Sequence, residues 1–220
     1  MSFERINRFG FVNCYLVEQD DGLTLIDTMV PGSAKTILAA AGDRQIQRIV
    51  LTHSHQDHIG SLDALRKELP AAAVVISNRE ARLLKKDKTM DPGEPEDKLR
   101  GGYPGAETEP TLLVKDGDMV GSLQVVASPG HTPGHVSLLD TRDGTLFTGD
   151  AYTTLGGVET SARMHLKFPF ATFATWHRPT EIESAKTLLA LDPQRLAPGH
   201  GKVIESPRMA MERAISKAGG

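Results

Sequence analysis

Apolar residues in the first third of the chain come in short runs separated by turn residues. Residues 11–18 and 23–27 are two such runs, and Asp20-Asp21-Gly22 between them is a hairpin signal. Pro31-Gly32-Ser33 reads as a turn, with Ser33 placed to cap a helix over residues 34–41. Residues 46–52, apolar at Ile46, Ile49, Val50 and Leu51, read as a buried strand. Beyond a polar, histidine-rich stretch, Ile59, Leu62, Leu65 and Leu69 recur at helical spacing until Pro70 stops the helix. Residues 73–77 form another apolar run of strand length.

The pattern then changes character. Residues 87–110 hold four prolines and four glycines with few large apolar groups, which predicts a long surface excursion of the kind usually tied to function. Regularity returns with strands over residues 112–115 and 123–127, joined through Asp116-Gly117-Asp118. A hairpin follows, residues 136–140 and 145–148 around Arg142-Asp143-Gly144. Residues 168–176 carry four of the eleven aromatics, Phe168, Phe170, Phe173 and Trp176. They read as packing under the last helix, with a substrate wall or a homodimer contact as the sharper reading. Residues 179–191 predict that helix, with proline in its first turn and Ile182, Ala185, Leu188 and Leu189 on one face.

Composition narrows the class. A chain of 220 residues with 39% hydrophobic and 24% charged residues can bury a self-sufficient core, and a single domain over 1–220 is expected. A net charge of −3 offers no electrostatic footprint for nucleic acid. The start of the chain lacks the apolar stretch of a leader, and no segment is apolar for the ~18 residues a membrane span needs. The expectation is a cytoplasmic protein with no membrane partner. Cys14 is the only cysteine, so an intrachain disulfide and a cysteine metal cluster are both excluded. It lies in an apolar run and reads as a small buried hydrophobe.

The chemistry gathers at His53-Ser54-His55-Gln56-Asp57-His58. His53 and His55 follow a strand, so in extended backbone both rings project to one side and can share a metal ion. His58 is out of phase with them and is available to a second ion. With this chain's composition, such a placement of three histidines and an aspartate is expected by chance only ~7 × 10⁻⁴ times. Three more ligand-type residues stand after apolar runs and beside glycine: His131, Asp150 and His200. Glycine there lets the backbone turn sharply and come close to a ligand.

This order of residues resembles the metallo-β-lactamase superfamily. The resemblance runs from Asn13-Cys14-Tyr15-Leu16-Val17 and Leu25-Ile26-Asp27-Thr28 through Thr52-His53-Ser54-His55. It continues in Gly130-His131-Thr132-Pro133-Gly134-His135, Thr148-Gly149-Asp150 and Pro198-Gly199-His200-Gly201. It implies an α/β fold, a four-layer αββα sandwich of two mixed sheets flanked by helices. It also implies one metal on His53, His55 and His131, another on Asp57, His58 and His200, and Asp150 bridging both. Met29 departs from the glycine that the family often has after Ile-Asp-Thr. Asp27 resembles the carboxylate that fixes the tautomer of a metal-bound imidazole.

The expected cofactor is two Zn2+, with Fe or Mn open because the ligand set selects weakly. The expected activity is hydrolysis of an ester, thioester, lactone or amide in a small-molecule substrate by a hydroxide bridging the two metals, with Asp57 handling the proton. The alternatives are a mononuclear-iron oxidoreductase of the same fold, as in the sulfur dioxygenase branch, and a non-catalytic metal-binding protein. Neither the helical domain of glyoxalase II after His200 nor the inserted domain of the superfamily's nucleases is expected, which weakens both assignments. His135 reads as a structural hydrogen-bonding group, and His165 and His177 as surface or packing residues. Tyr152 is a candidate donor to a substrate carbonyl.

Overall fold

The computed structural model describes residues 3–219. The chain divides into two compact units, one made of Met1–Asp87 with Gly102–Val114, the other of Lys88–Gly101 with Lys115–Gly220.

The first unit begins with strands β1 (Phe3–Arg8), β2 (Val12–Gln19) and β3 (Gly22–Ile26). Helix α1 (Ala34–Ala41) leads to β4 (Ile46–Val50), then to the short helices α2 (Gln56–Ile59) and α3 (Leu62–Glu68). Strand β5 (Ala73–Ser77), helix α4 (Asn78–Leu84) and strand β6 (Leu112–Val114) complete it. Strands β3, β4, β5 and β6 run parallel in that order, while β2 joins β3 and β1 joins β2 antiparallel. The sheet is therefore mixed. Leu16, Leu25, Ile37, Ile49, Leu51, Leu62, Leu65 and Ile76 are buried together in one cluster, each large side chain contributing about 1.5–3 kcal/mol. The donor-rich segment leaves the carboxyl end of β4, where parallel α/β sheets habitually place ligands.

Three local expectations are corrected here. Ser33 is not a capping side chain: its backbone is already helical, so its hydroxyl turns back to donate to Val30 O at 2.7 Å and accepts from Arg8 Nη1 at 3.0 Å. The single helix expected from Ile59 to Leu69 is interrupted between α2 and α3, where Ser61 leaves the helical region (φ −109°, ψ 9°), and any Cβ on Gly60 would lie 2.4 Å from Pro31 Cδ and 2.6 Å from Gln56 O. Met29 needs no glycine, since it holds the left-handed conformation itself (φ 56°) with its side chain buried in the core.

The second unit opens with β7 (Met119–Val120), β8 (Leu123–Ala127), β9 (Val136–Asp140) and β10 (Thr145–Thr153), an antiparallel meander. The chain continues through β11 (Glu159–Thr160), α5 (Phe170–Ala174) and α6 (Arg178–Ala190). It ends in β12 (Arg195–His200), β13 (Ile204–Glu205) and α7 (Arg208–Ala218). Strand β12 lies parallel to β10, with β11 and β13 added antiparallel, so this sheet is also mixed. Leu146, Tyr152, Ala185, Leu188, Leu196, Met211 and Ile215 share a second core cluster.

The strand expected to stop at Thr148 runs on to Thr153, all nine residues buried, because β11 and β12 both pair with its far end. Asp150 and His200 thus lie within strands rather than after them. The pairing shifts register on both sides of Gly149, whose partner is Pro198, a residue with no N–H to give the ladder. Among the described residues no helix is long and apolar enough to cross a membrane.

Candidate metal centre

In the first unit, one carboxylate organises two donor rings. Asp27 is buried at the end of β3 in the left-handed conformation (φ 59°). Its Oδ1 accepts from Thr52 N–H at 2.8 Å, and its Oδ2 accepts from Thr52 Oγ1 at 2.8 Å and lies 2.7 Å from His58 Nδ1. Thr52 has one hydroxyl proton, and it goes to Asp27. The 3.0 Å contact of Thr52 Oγ1 with His53 Nδ1 must then be donated by the imidazole. His53 and His58 therefore both carry their proton on Nδ1, which leaves each Nε2 lone pair for a metal.

The three rings of this segment are neighbours. His53 lies 4.8 Å from His55 and 4.0 Å from His58 between ring centroids. His55 starts α2, with its carbonyl accepting from His58 N–H and Ile59 N–H at 2.9 and 3.0 Å. That turn brings His58, out of phase along the sequence, back beside His53. Asp57 is half-buried in the same turn. Between the two leading histidines, Ser54 N–H donates to Glu80 Oε2 at 2.8 Å.

In the second unit, His131, Asp150 and His200 come together. Asp150 Oδ2 lies 3.5 Å from His131 Nε2 and 3.2 Å from His200 Nε2, all three side chains buried. His131 Nδ1 is 3.1 Å from Thr175 Oγ1, and that hydroxyl gives its proton to Ala171 O at 2.8 Å or Ser161 O at 3.1 Å. The imidazole must again be the donor at Nδ1, so Nε2 faces the aspartate with its lone pair. His131 N–H donates to Glu181 Oε2 at 2.7 Å. Burial pushes the Glu181 carboxyl up and the Asp150 charge adds to this, against the bond from His131.

Each unit thus holds a histidine–aspartate cluster whose tautomers suit a cation. The remaining candidates are accounted for by the fold. His135 accepts from Asp150 N–H at Nε2 (3.2 Å) and donates from Nδ1 to Ser128 Oγ (2.9 Å), so it holds the strand of an acidic donor in place. His165 Nε2 lies 2.8 Å from Leu155 O, and His177 caps α6 by accepting from Thr180 N–H. Tyr152 is corrected: it is fully buried and its hydroxyl donates to Ala185 O at 3.0 Å, so it takes no substrate. Cys14 is buried and its thiol is pushed up by that burial, as an inert hydrophobe should be.

The aromatic segment splits. Phe168 packs on the His200 ring at 4.7 Å, and Trp176 is buried with Nε1 donating to Asp97 O at 2.9 Å. Phe170 and Phe173 are exposed, so packing beneath a helix does not describe them. Tyr103, inside the excursion of residues 87–110, was missed by sequence reasoning and stands edge-on to His55 at 4.6 Å. Glu80 and Glu181 were missed as well, since a lone glutamate in a helix carries no signal of burial.

Comparison with known proteins agrees with this geometry. The profile of the metallo-β-lactamase superfamily matches residues 7–200. The chain is 46% identical over 210 residues to the uncharacterized protein YobT of Bacillus subtilis (strain 168), covering 94% of this chain and 90% of that one. It is 30% identical to the probable metallo-hydrolase YflN of the same organism, covering 86% and 80%. Among solved structures, the BLEG-1 B3 metallo-β-lactamase superposes with a TM-score of 0.69 at 23% identity, over 94% and 95% of the two chains. The TTHA1623 protein in a di-iron-bound form gives 0.66 at 26% identity, over 94% and 96%. The mixed α/β architecture expected from the sequence is the one these structures share.

Proposed function

The chain belongs to the metallo-β-lactamase superfamily and is a metallo-hydrolase by class, and from that premise we propose that it is a binuclear hydrolase of small carbonyl substrates. On the family's pattern its donors would sort into two sets, His53, His55 and His131 against Asp57, His58 and His200, with Asp150 shared by both. The observation that carries the reading is Asp150 Oδ2, set against Nε2 of His131 from one set and Nε2 of His200 from the other. A carboxylate between two donor groups suits a bridging ligand, and with the proton of His53, His58 and His131 on Nδ1, Nε2 is the donor atom of each ring. Zinc fits imidazole and carboxylate donors; iron fits them too, and the di-iron form of a structural neighbour keeps that choice open. Such ions, when bound, would supply Lewis acidity and lower the pKa of a coordinated water towards neutrality.

The chain's own residues do the rest. Asp27, Thr52 and Thr175 hold the donor rings in the required tautomer, so no reorganisation is needed when charge develops. Asp57, half-buried at the start of α2, is the group placed to accept a proton and return it to the leaving atom. The substrate is a small ester, thioester, lactone or amide, with no nucleic acid or membrane partner. Zinc-loaded protein should cleave members of a panel of activated esters, lactones and thioesters, and Asp57→Asn should keep much of its metal while losing about 10²-fold or more in turnover. The panel should be run beside an oxygen electrode with glutathione persulfide. Iron-dependent oxygen uptake with no hydrolysis anywhere in the panel would promote the oxidoreductase reading instead.

A further inference from the structure

Both donor clusters rest on a buried glutamate whose side chain accepts from backbone. In the second unit, the loop bearing His131 is gripped by the start of α6. Gly130 O accepts from His177 N–H at 2.9 Å, and His131 O accepts from Trp176 N–H at 3.0 Å. Ser184 Oγ donates to Pro129 O at 2.5 Å. Glu181 closes the grip, its Oε2 accepting from the amide of His131 itself at 2.7 Å. The approach is so close that a Cβ on Gly130 would lie 2.3 Å from Glu181 N and 2.4 Å from its Cα.

The first unit repeats the device. Ser54 separates His53 from His55, and in extended backbone its orientation sets that of both neighbours. Its amide donates to Glu80 Oε2 at 2.8 Å, and its hydroxyl donates to the Glu80 carbonyl at 3.0 Å. Glu80 is itself fixed in the first turn of α4, where its N–H donates to the Ser77 hydroxyl at 3.2 Å.

A buried carboxylate is expensive unless its hydrogen bonds are strong, and a carboxylate accepting an amide N–H makes one of the stronger kinds. An apolar side chain would fill either space without that penalty. We infer that Glu181 and Glu80 are positioning residues, each fixing by one side-chain hydrogen bond the backbone from which donor imidazoles project. This rests on the metal-binding reading given above. Each acid acts through a donor loop.

Cobalt(II) binding, followed by visible absorption, tests this without turnover. Glu181→Met should weaken one of the two Co(II) positions by roughly ten- to hundredfold and shift its absorption band. Glu181→Gln, whose amide oxygen accepts the same N–H, should stay within about threefold of wild type. Glu80→Met should weaken the position held by His53 and His55 likewise. Amide exchange at His131 and Ser54 in the metal-free protein reads the bonds directly and should quicken in the Met variants only. Where a Met variant fails to fold, Glu181→Asp retains the carboxyl but withdraws the oxygen, and it should show the same losses. Wild-type cobalt affinity and spectrum in the folded Met or Asp variants would overturn the positioning role. A wild-type protein that takes up no Co(II) would overturn the metal reading itself.

Discussion

Asp27 concentrates more of the centre's organisation than any donor does. It sits at φ 59° and is followed two residues later by Met29 at φ 56°, so one short turn holds two non-glycine residues in the left-handed region. Such strain persists where surrounding bonds over-determine it. Here three bonds do so, from Thr52 N–H, Thr52 Oγ1 and His58 Nδ1. Asparagine tolerates the left-handed conformation about as well as aspartate. Asp27→Asn therefore leaves the backbone content and removes one acceptor, which must spoil either the Thr52 or the His58 bond. The expected result is a native far-ultraviolet spectrum and zinc affinity reduced about 10- to 100-fold, read by competition with a chromophoric chelator. Wild-type affinity in the asparagine variant would mean that the donor rings are fixed by packing alone.

At the scale of elements, the excursion of residues 87–110 lacks helix and strand yet is tied down by named contacts. Asp63, in the first turn of α3, accepts from Glu107 N–H at 3.1 Å, Thr108 N–H at 2.8 Å and Thr108 Oγ1 at 2.6 Å. Burial pushes its carboxyl up, but the Thr108 and Glu107 bonds and the Lys67 charge together outweigh this, and it is held below the usual value. A depressed folded pKa means stability that is present above the unfolded value of ~3.9 and lost as pH falls through the folded one. Asp63→Asn should thus lower unfolding free energy by about 1 kcal/mol at pH 7, near the low end for a partly exposed charged acceptor. The gap from wild type should close as pH falls through the folded value, as denaturant melts at neutral and acid pH would show.

That anchor was not legible in the sequence, and the reason is general to what was missed. The buried run before His53, the helical spacing of Ile182, Ala185 and Leu188, and the order of all seven donor-type residues follow from local pattern. Strand β1 does not, because it is an edge strand with three exposed positions and few apolar ones. The break between α2 and α3 comes where Pro31 lies against Gly60, and the run of β10 through Asp150 depends on partners at residues 159–160 and 195–200. Glu80 and Glu181 read as surface charges until distant loops come to rest on them. Apart from β1, each of these misses is a non-local contact deciding a local conformation.

For the molecule as a whole, the proposed ions should contribute to stability by mass action. The seven donors span residues 53–200, four in the first unit and three in the second, so a chain that loses its fold loses the donor set. A ligand bound only by the native state stabilises it by about 2.7 kcal/mol at a hundred times its Kd. Two ions at that excess give about 5 kcal/mol, and for a chain of this size 1 kcal/mol moves Tm by about 2–4 °C. Stripping metal with a chelator should therefore lower Tm by about 10–20 °C, and excess zinc should restore it with close to two ions bound per chain by elemental analysis. His131→Ala, which removes a donor from one set, should bind about one ion and recover about half of that shift. Full recovery of Tm with a single ion in the wild-type protein would show that the second donor set holds nothing, and with it the binuclear reading would fall.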